Sequence, residues 1–327
     1  MNTKARNIKA AVVGVGYLGK WHAEKYAALD NVDLLAVADT DEKQARAVAA
    51  KVGAHPYTDY KKLLGKVDAV SIAAPTPLHY EIAKAFLQNG ADVLIEKPIT
   101  ATVSQADELI ATAKRMNKII QVGHLERFNP AVVAARDLIL DPVFIESNRL
   151  SIYQPRGTDV SVVHDLMIHD IDLILHFVKS DIRYCHALGT PLVTGSVDIA
   201  NAHIEFENGA VANVTASRIS GKTERKIRLF QKDGYISIDF ANRVITHIRQ
   251  AREGDENCPI PGMHIENKSF DEADALKEEI ISFVTAVETR CEPEVSGQMG
   301  RDALNLAVDI IDQIDKAMTR IRPSLGR

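Results

Sequence analysis

In the stretch HDLMIHDIDLILHF, residues 164 to 177, Asp165, His169, Asp172 and His176 fall at i, i+4, i+7 and i+11. A helical period stacks these positions on one face, while most of the remaining circumference is apolar. A face turned to water usually carries Lys, Glu and Arg, which are good helix formers and cheap to solvate. Carboxylates and imidazoles in a row can instead hold a divalent ion, or hold and move a proton, because imidazole titrates near neutral pH. A second chemical spacing lies near the start, where Gly14, Gly16 and Gly19 form GVGYLG and the acid Asp39 follows. Glycines so placed permit a tight turn, admit a pyrophosphate to backbone amides and let a helix pack closely, and the acid receives ribose hydroxyls. A third set, APTPLH (residues 74–79) and EKP (residues 96–98), supplies His79 and Lys97.

The elements that must hold these residues alternate in type. Apolar runs IKAAVVG, VDLLAVAD, VDAVSIAAP, ADVLIEKP and KIIQVG read as short strands, separated by helical patterns ending near Leu29 and covering 41–52, 77–89 and 103–116. Short apolar strands alternating with helices predict a doubly wound parallel sheet, a Rossmann-type α/β domain over residues 1–123. The glycine motif then sits between the first strand and first helix, where GxGxxG becomes specific, and Asp39 closes the second strand. A carboxylate there repels a 2′-phosphate and no Arg directly follows it, which favours NAD over NADP. APTPLH and EKP fall beyond the carboxyl ends of later strands, where ligands bind in such sheets. The cofactor candidates are Gly14, Gly16, Tyr17, Leu18, Gly19, Asp39, Thr40, Ala74, Pro75, Thr76, His79, Glu96 and Lys97. Lys97 is also a candidate active-site cation, whereas His79 reads as a capping or packing residue rather than a catalyst.

Beyond Gly123 the pattern changes. After a helix at 129–140 come strand-like runs at 143–150, 182–189, 198–206, 210–218, 225–230, 235–239 and 243–249, with Asn208-Gly209 and Asp233-Gly234 as hairpin turns. Hairpins make antiparallel neighbours, so residues 124–327 are expected to form an α+β domain with a mostly antiparallel open sheet, for substrate binding and oligomerisation. Residues 251–264 read as a long loop; helices are expected at 273–289 and 302–320, and the last could pack back on the first domain.

Composition excludes several classes. A net charge of −5 offers no basic field for nucleic acid, and the three cysteines form no CxxC pair. No segment approaches the length of a membrane span and the start is unlike a signal peptide, so a cytoplasmic location with no membrane partner is expected.

Taken together and in order, VGVGYLGKWH, APTPLHYEIA, EKPIT and HDLMIHDIDLIL resemble the Gfo/Idh/MocA family of nicotinamide-dependent sugar and polyol oxidoreductases, over nearly the whole chain. The resemblance implies that Lys97, Asp165 and His169 meet the nicotinamide and a substrate hydroxyl, and that the Lys97–Pro98 peptide is cis. Oxidising a secondary alcohol needs a hydride acceptor, a proton acceptor and a positive group at the oxygen. His169 suits the base, Lys97 the cation, and Asp165 the orienting acid, although sequence leaves open whether Lys97 or His169 takes the proton. Asp172 and His176 read as supporting residues. Within the family, GHLERFNPA and RGTDVSVVHDLMIHDID, with Arg149 and Tyr153, are more similar to the nucleotide-sugar branch than to inositol dehydrogenases. That implies a UDP-N-acetyl sugar such as UDP-N-acetylglucosamine, oxidised at its 3-position, as substrate. It also implies Arg127, Tyr153 and Arg156 as substrate contacts beside Lys97, Asp165 and His169, with the arginines on a diphosphate. A free sugar or inositol is the alternative substrate. No metal is expected; a metal-dependent hydrolase leaves the glycine motif unexplained, and a non-catalytic NAD sensor leaves Lys97, Asp165 and His169 without purpose. The family also implies a homodimer or homotetramer.

Overall fold

The computed structural model describes residues 6–154, 160–253, 255, 260–271 and 273–321. The chain divides into two compact units, one of residues up to Leu125 with Asp274–Leu304, the other of Glu126–Ala273 with the residues from Asn305 onward.

In the first unit the order is β1 (Ile8–Val13), α1 (Gly19–Ala27), β2 (Val32–Ala38), α2 (Glu42–Val52), β3 (His55–Tyr57), β4 (Ala69–Ile72), α3 (Thr76–Gln88), β5 (Asp92–Glu96), α4 (Val103–Met116) and β6 (Ile120–Gly123). The strands are parallel and lie in the order β3-β2-β1-β4-β5-β6. The chain therefore reverses direction across the sheet between β1 and β4, and a ligand crevice opens at the carboxyl ends of those two strands. Strands β4 and β5 are buried through nearly their whole length, which is why they read as continuous apolar runs.

Helix α7, defined below, joins this unit because its apolar face has its partner here. Leu276, Ile280, Phe283, Val284 and Val287 share a core with Val12, Tyr26 and Leu94. The segment after it is tied to β6, with Val122 donating its amide to the Val295 carbonyl at 2.9 Å. Sequence reading placed all of 124–327 in the second domain, allowing only the last helix to return. Periodicity shows that a helix has an apolar face, not which sheet covers it.

The second unit holds α5 (Pro130–Ala135), β7 (Phe144–Leu150), α6 (Ile168–Val178), β8 (Ile182–Thr190), β9 (Ile199–Phe206), β10 (Val211–Ser217), β11 (Glu224–Gln231), β12 (Gly234–Asp239), β13 (Val244–Gln250) and β14 (Met263–Ser269). Helices α7 (Ala275–Thr289) and α8 (Gly297–Ile321) follow, and the division between the units falls inside α8. The sheet runs β14-β13-β12-β11-β7-β10-β9-β8, antiparallel except for β7 beside β10. Gly209, with φ 87°, makes the turn between β9 and β10 that Asn208-Gly209 foretold. Inward positions of β9 and β10, such as Ala202, Ile204, Ala212 and Val214, are buried, and α6 packs on β7 and β10. Strand β14 is a correction, since part of it was assigned to a loop. Its charged sequence MHIENKS sits at the sheet edge, where little alternation is required. No described helix is long and apolar enough to cross a membrane.

Candidate active site

The crevice at β1 and β4 is built by three glycines for three different reasons. Gly14 has φ 81°, and a Cβ there would lie 2.6 Å from the Ala74 amide nitrogen, so only glycine lets β1 turn against the end of β4. At Gly19 a Cβ would meet the Gly14 carbonyl oxygen at 1.8 Å, so the third glycine allows α1 to start against the loop. Gly16 is exposed, and a Cβ on it would face open space. Its lack of a side chain therefore serves nothing in the protein itself, and leaves backbone open to a ligand. The first turn of α1 has no side-chain cap and no acid, so no side chain competes with an anion for its leading amides, although the Trp21 amide already donates to the Leu18 carbonyl at 2.9 Å. Asp39 closes the rim: one carboxylate oxygen accepts from the Val15 amide at 2.9 Å and the other from the Asp41 amide at 3.0 Å. A carboxylate has lone pairs left for ribose hydroxyls after both bonds. Thr40 is exposed beside it, Leu18 is half-buried, and Tyr17 is 73% exposed at the loop tip. These residues fit a dinucleotide.

At the ends of β4 and β5 the structure separates ligand-facing from supporting residues. Ala74 and Thr76 are half-buried and Pro75 is exposed at the start of α3. His79 is buried: its Nε2 faces the Ala74 carbonyl at 2.7 Å and its Nδ1 the Pro98 carbonyl at 3.0 Å. Both ring nitrogens thus face backbone carbonyls of the two loops, and a neutral ring donates to one of them. Burial lowers its pKa, against the pull of the two carbonyls. Lys97 is half-buried directly after β5, and its peptide bond to Pro98 is cis.

In the second unit the opening stretch is not one uniform helix. Val163–Met167 forms a π-helical turn that runs into α6, so Asp165 lies in the wider turn and His169 in the first turn of α6. Both are half-buried. A π turn within a helix re-phases the residues that follow, and such turns recur at functional sites. The single polar stripe accordingly splits. Asp172 is buried, and the fork of Arg127 grips it with Nε to Oδ2 at 2.6 Å and Nη2 to Oδ1 at 3.0 Å. His176 is half-buried, and burial together with the positive charge of Arg127 lowers its pKa to about 4, with Asp172 opposing.

Arg127 is 1% exposed, with Nε and Nη2 held by Asp172 and Nη1 left without a hydrogen-bond partner. Arg149 is likewise buried, donating bidentately to Asp170 at 2.8 and 3.0 Å and to Glu126 at 2.9 Å. Those carboxylates raise its pKa, against the penalty of burial. Asp170 and Asp172 follow His169 on α6, so the two bidentate pairs anchor the helix within one turn of that residue. Tyr153 is 42% exposed on the segment after β7. Arg156 lies outside the described residues.

Sequence reading missed one cluster. Among the described residues the only three donors that converge as a metal site would need are His22, Glu96 and Glu279, whose ligand atoms lie within 4.8 Å of one another. The Asp/His stripe is not such a group. The available signal was a histidine on the buried face of α1, where Gly19, His22, Ala23 and Tyr26 line up.

Comparison with known proteins agrees with this geometry. Residues 8–124 match the oxidoreductase family with an NAD-binding Rossmann fold, and residues 143–237 match the GFO/IDH/MocA C-terminal domain. The chain is 35% identical to the UDP-N-acetylglucosamine 3-dehydrogenase of Acidithiobacillus ferrooxidans, over 96% of this chain and 99% of that one. It is 26% identical to the myo-inositol 2-dehydrogenase of Thermotoga maritima over 91% and 94% of the two chains. A solved structure of the Acidithiobacillus enzyme superimposes with a TM-score of 0.90 at 34% identity, covering 95% of this chain and 98% of that one. With both halves matched and the dinucleotide cradle in place, the chain belongs to the GFO/IDH/MocA family and is an NAD-binding oxidoreductase, a dehydrogenase acting on CH–OH groups.

Proposed function

We propose that the protein oxidises the 3-hydroxyl of UDP-N-acetylglucosamine. The observation that carries this reading is end-to-end similarity to a dehydrogenase of that name, at 35% identity with neither chain extending far beyond the other. Bound NAD supplies the hydride acceptor. Gly14, Gly16 and Gly19 with the first turn of α1 hold its pyrophosphate, and Asp39 receives the adenosine ribose. Lys97 places positive charge at the substrate oxygen, His169 takes the hydroxyl proton, and Asp165 orients the imidazole or a neighbouring sugar hydroxyl. Tyr153 and Arg156 contact the nucleotide sugar. Arg127 is not among the ligands proposed, and with Arg149 it serves instead to hold α6 in place.

The first unit binds the dinucleotide; the second binds substrate and carries the contacts of a homodimer or homotetramer in the cytoplasm. Support for assembly lies on β8, where Tyr184 and Leu188 are 51% and 50% exposed on the face opposite Ala187, beside His186 and the β9 residues Asn201, His203 and Glu205, a mixed aromatic and polar face that a partner copy would cover. Sedimentation at micromolar concentration checks it, and a monomer would contradict it. Myo-inositol is the second substrate reading, supported by the related inositol dehydrogenase. Incubation with NAD and a panel of UDP-sugars, free sugars and inositols decides between them. NADH formation is expected with UDP-N-acetylglucosamine, and NADH from inositol alone would overturn the reading.

A further inference from the structure

Glu279 is completely buried on α7, and neither of its carboxylate oxygens has a hydrogen-bond donor against it. A bare carboxylate in such a place is prohibitively costly. Its acidic neighbour is Glu96, the residue before Lys97, within the group of atoms that converge inside 4.8 Å. Glu96 is held from several sides. His22 Nε2 meets its Oε1 at 2.9 Å, and a Cβ on Gly123 would touch its carboxylate atoms at 3.0 Å. His22 Nδ1 faces Ser71 Oγ at 3.2 Å, and the Tyr26 hydroxyl faces the same oxygen at 2.9 Å. One assignment satisfies the chain: Tyr26 donates to Ser71, Ser71 to His22 Nδ1, and His22 Nε2–H to Glu96 Oε1. Glu96 then has acceptor capacity left, and Glu279 lacks only a proton with an acceptor for it.

We propose that Glu279 and Glu96 share one proton, and that this bridged pair, braced by His22, is a positioning device fixing Lys97 relative to the dinucleotide loop. With His22 the pair joins α1, which begins in that loop, to β5, which ends at Glu96 just before Lys97, and to α7. The proposal rests on the reading of Lys97 as a catalytic group. Burial, and then the charge of Glu96, hold the Glu279 carboxyl well above the usual carboxylate range. Two carboxylates this close do not both ionise. The other polar groups around the pair are His22 and Tyr26 on α1, Ser71 on β4, and Gln121 on β6, which donates to the Glu279 backbone carbonyl at 2.9 Å.

A retained proton has a signed consequence. A carboxyl with a raised folded pKa contributes its full stability below its unfolded pKa of about 4.3 and loses it as pH rises. In the full-length protein, a protonated-carboxyl infrared band should persist at about pH 8 and vanish in Glu279→Gln, whose melting temperature should fall less than the parent's between about pH 5 and about pH 8. Both readouts need no substrate, so they judge the shared proton even if the substrate assignment fails. Glu279→Gln, an isostere of the protonated form, should keep most of the turnover; Glu279→Ala should lower kcat about tenfold or more at unchanged NAD affinity, as small displacements of reacting groups do. Absence of the band, an unchanged pH slope in Glu279→Gln, or stoichiometric bound metal by elemental analysis would overturn the shared proton. Full kcat in folded Glu279→Ala would overturn the positioning role.

Discussion

Replacing each glycine of the loop by alanine separates what the fold needs from what the cofactor needs. At Gly16 the added methyl meets no protein atom and the backbone is not in the left-handed region, so Gly16→Ala should leave the melting temperature within about one degree of the parent. On the proposed reading the same methyl stands where the pyrophosphate approaches the backbone. NAD affinity should fall about tenfold or more, a loss of about 1.4 kcal/mol. Gly14→Ala carries a left-handed penalty of about 1–2 kcal/mol, and its Cβ must push back the Ala74 amide from 2.6 Å. A total near 3 kcal/mol lowers the melting temperature by about 5–10 °C. Gly19→Ala, with its Cβ 1.8 Å from the Gly14 carbonyl oxygen, should be the worst of the three for stability. Calorimetry with and without NAD, and titration of NAD by fluorescence, read both quantities. A Gly16→Ala protein that binds NAD as tightly as the parent would refute the placement of the pyrophosphate at this loop.

Asp39→Ala removes the acceptor of the Val15 and Asp41 amides and, on the proposed reading, the ribose partner, so NAD binding should weaken far more than NADP binding; equal losses would remove Asp39 from the ribose. Arg127→Ala removes the bidentate partner of buried Asp172 and should cost about 3–5 kcal/mol in a denaturant melt, most of it regained in the double variant Arg127→Met, Asp172→Leu. A stable Arg127→Ala with a raised KM for UDP-sugar would return Arg127 to the substrate site. His176 has a folded pKa depressed from 6.5 to about 4, so the unfolded chain takes up a proton first and stability falls as pH drops across that window. His176→Phe should flatten that acid limb, and an unaltered limb would show that His176 is not its source. Lys97→Ala and His169→Ala should each lower turnover by about two orders of magnitude with NAD binding nearly intact, while chelator leaves turnover unchanged. Full activity in either variant would strike that residue from the chemistry.

What the sequence showed and what it hid divide along the range of the interactions. The β1 turn was legible because Gly14, Gly19 and Asp39 act through backbone geometry within one βαβ unit, and local spacing encodes it. The hairpins at Gly209 and Gly234 were legible for the same reason. The Arg127–Asp172 pair was hidden because Asp172 sits on another element, and an Arg that grips a buried carboxylate looks in sequence like one that grips a phosphate. The π turn at Val163–Met167 left no trace in the residue pattern, since the same polar spacing fits an unbroken helix until burial is known. His22, Glu96 and Glu279 are brought together only by the packing of α1, β5 and α7. Charged β14 and the return of α7 to the first unit likewise depend on which surface was left uncovered.

The most direct test of the central claim follows the hydride itself. UDP-N-acetylglucosamine carrying deuterium at the 3-carbon is incubated with the protein and NAD, and the resulting NADH is weighed by mass spectrometry. Deuterium in the NADH and a 3-keto sugar nucleotide beside it are expected. Unlabelled NADH, or no NADH from this substrate while another sugar or inositol yields it, would contradict the account.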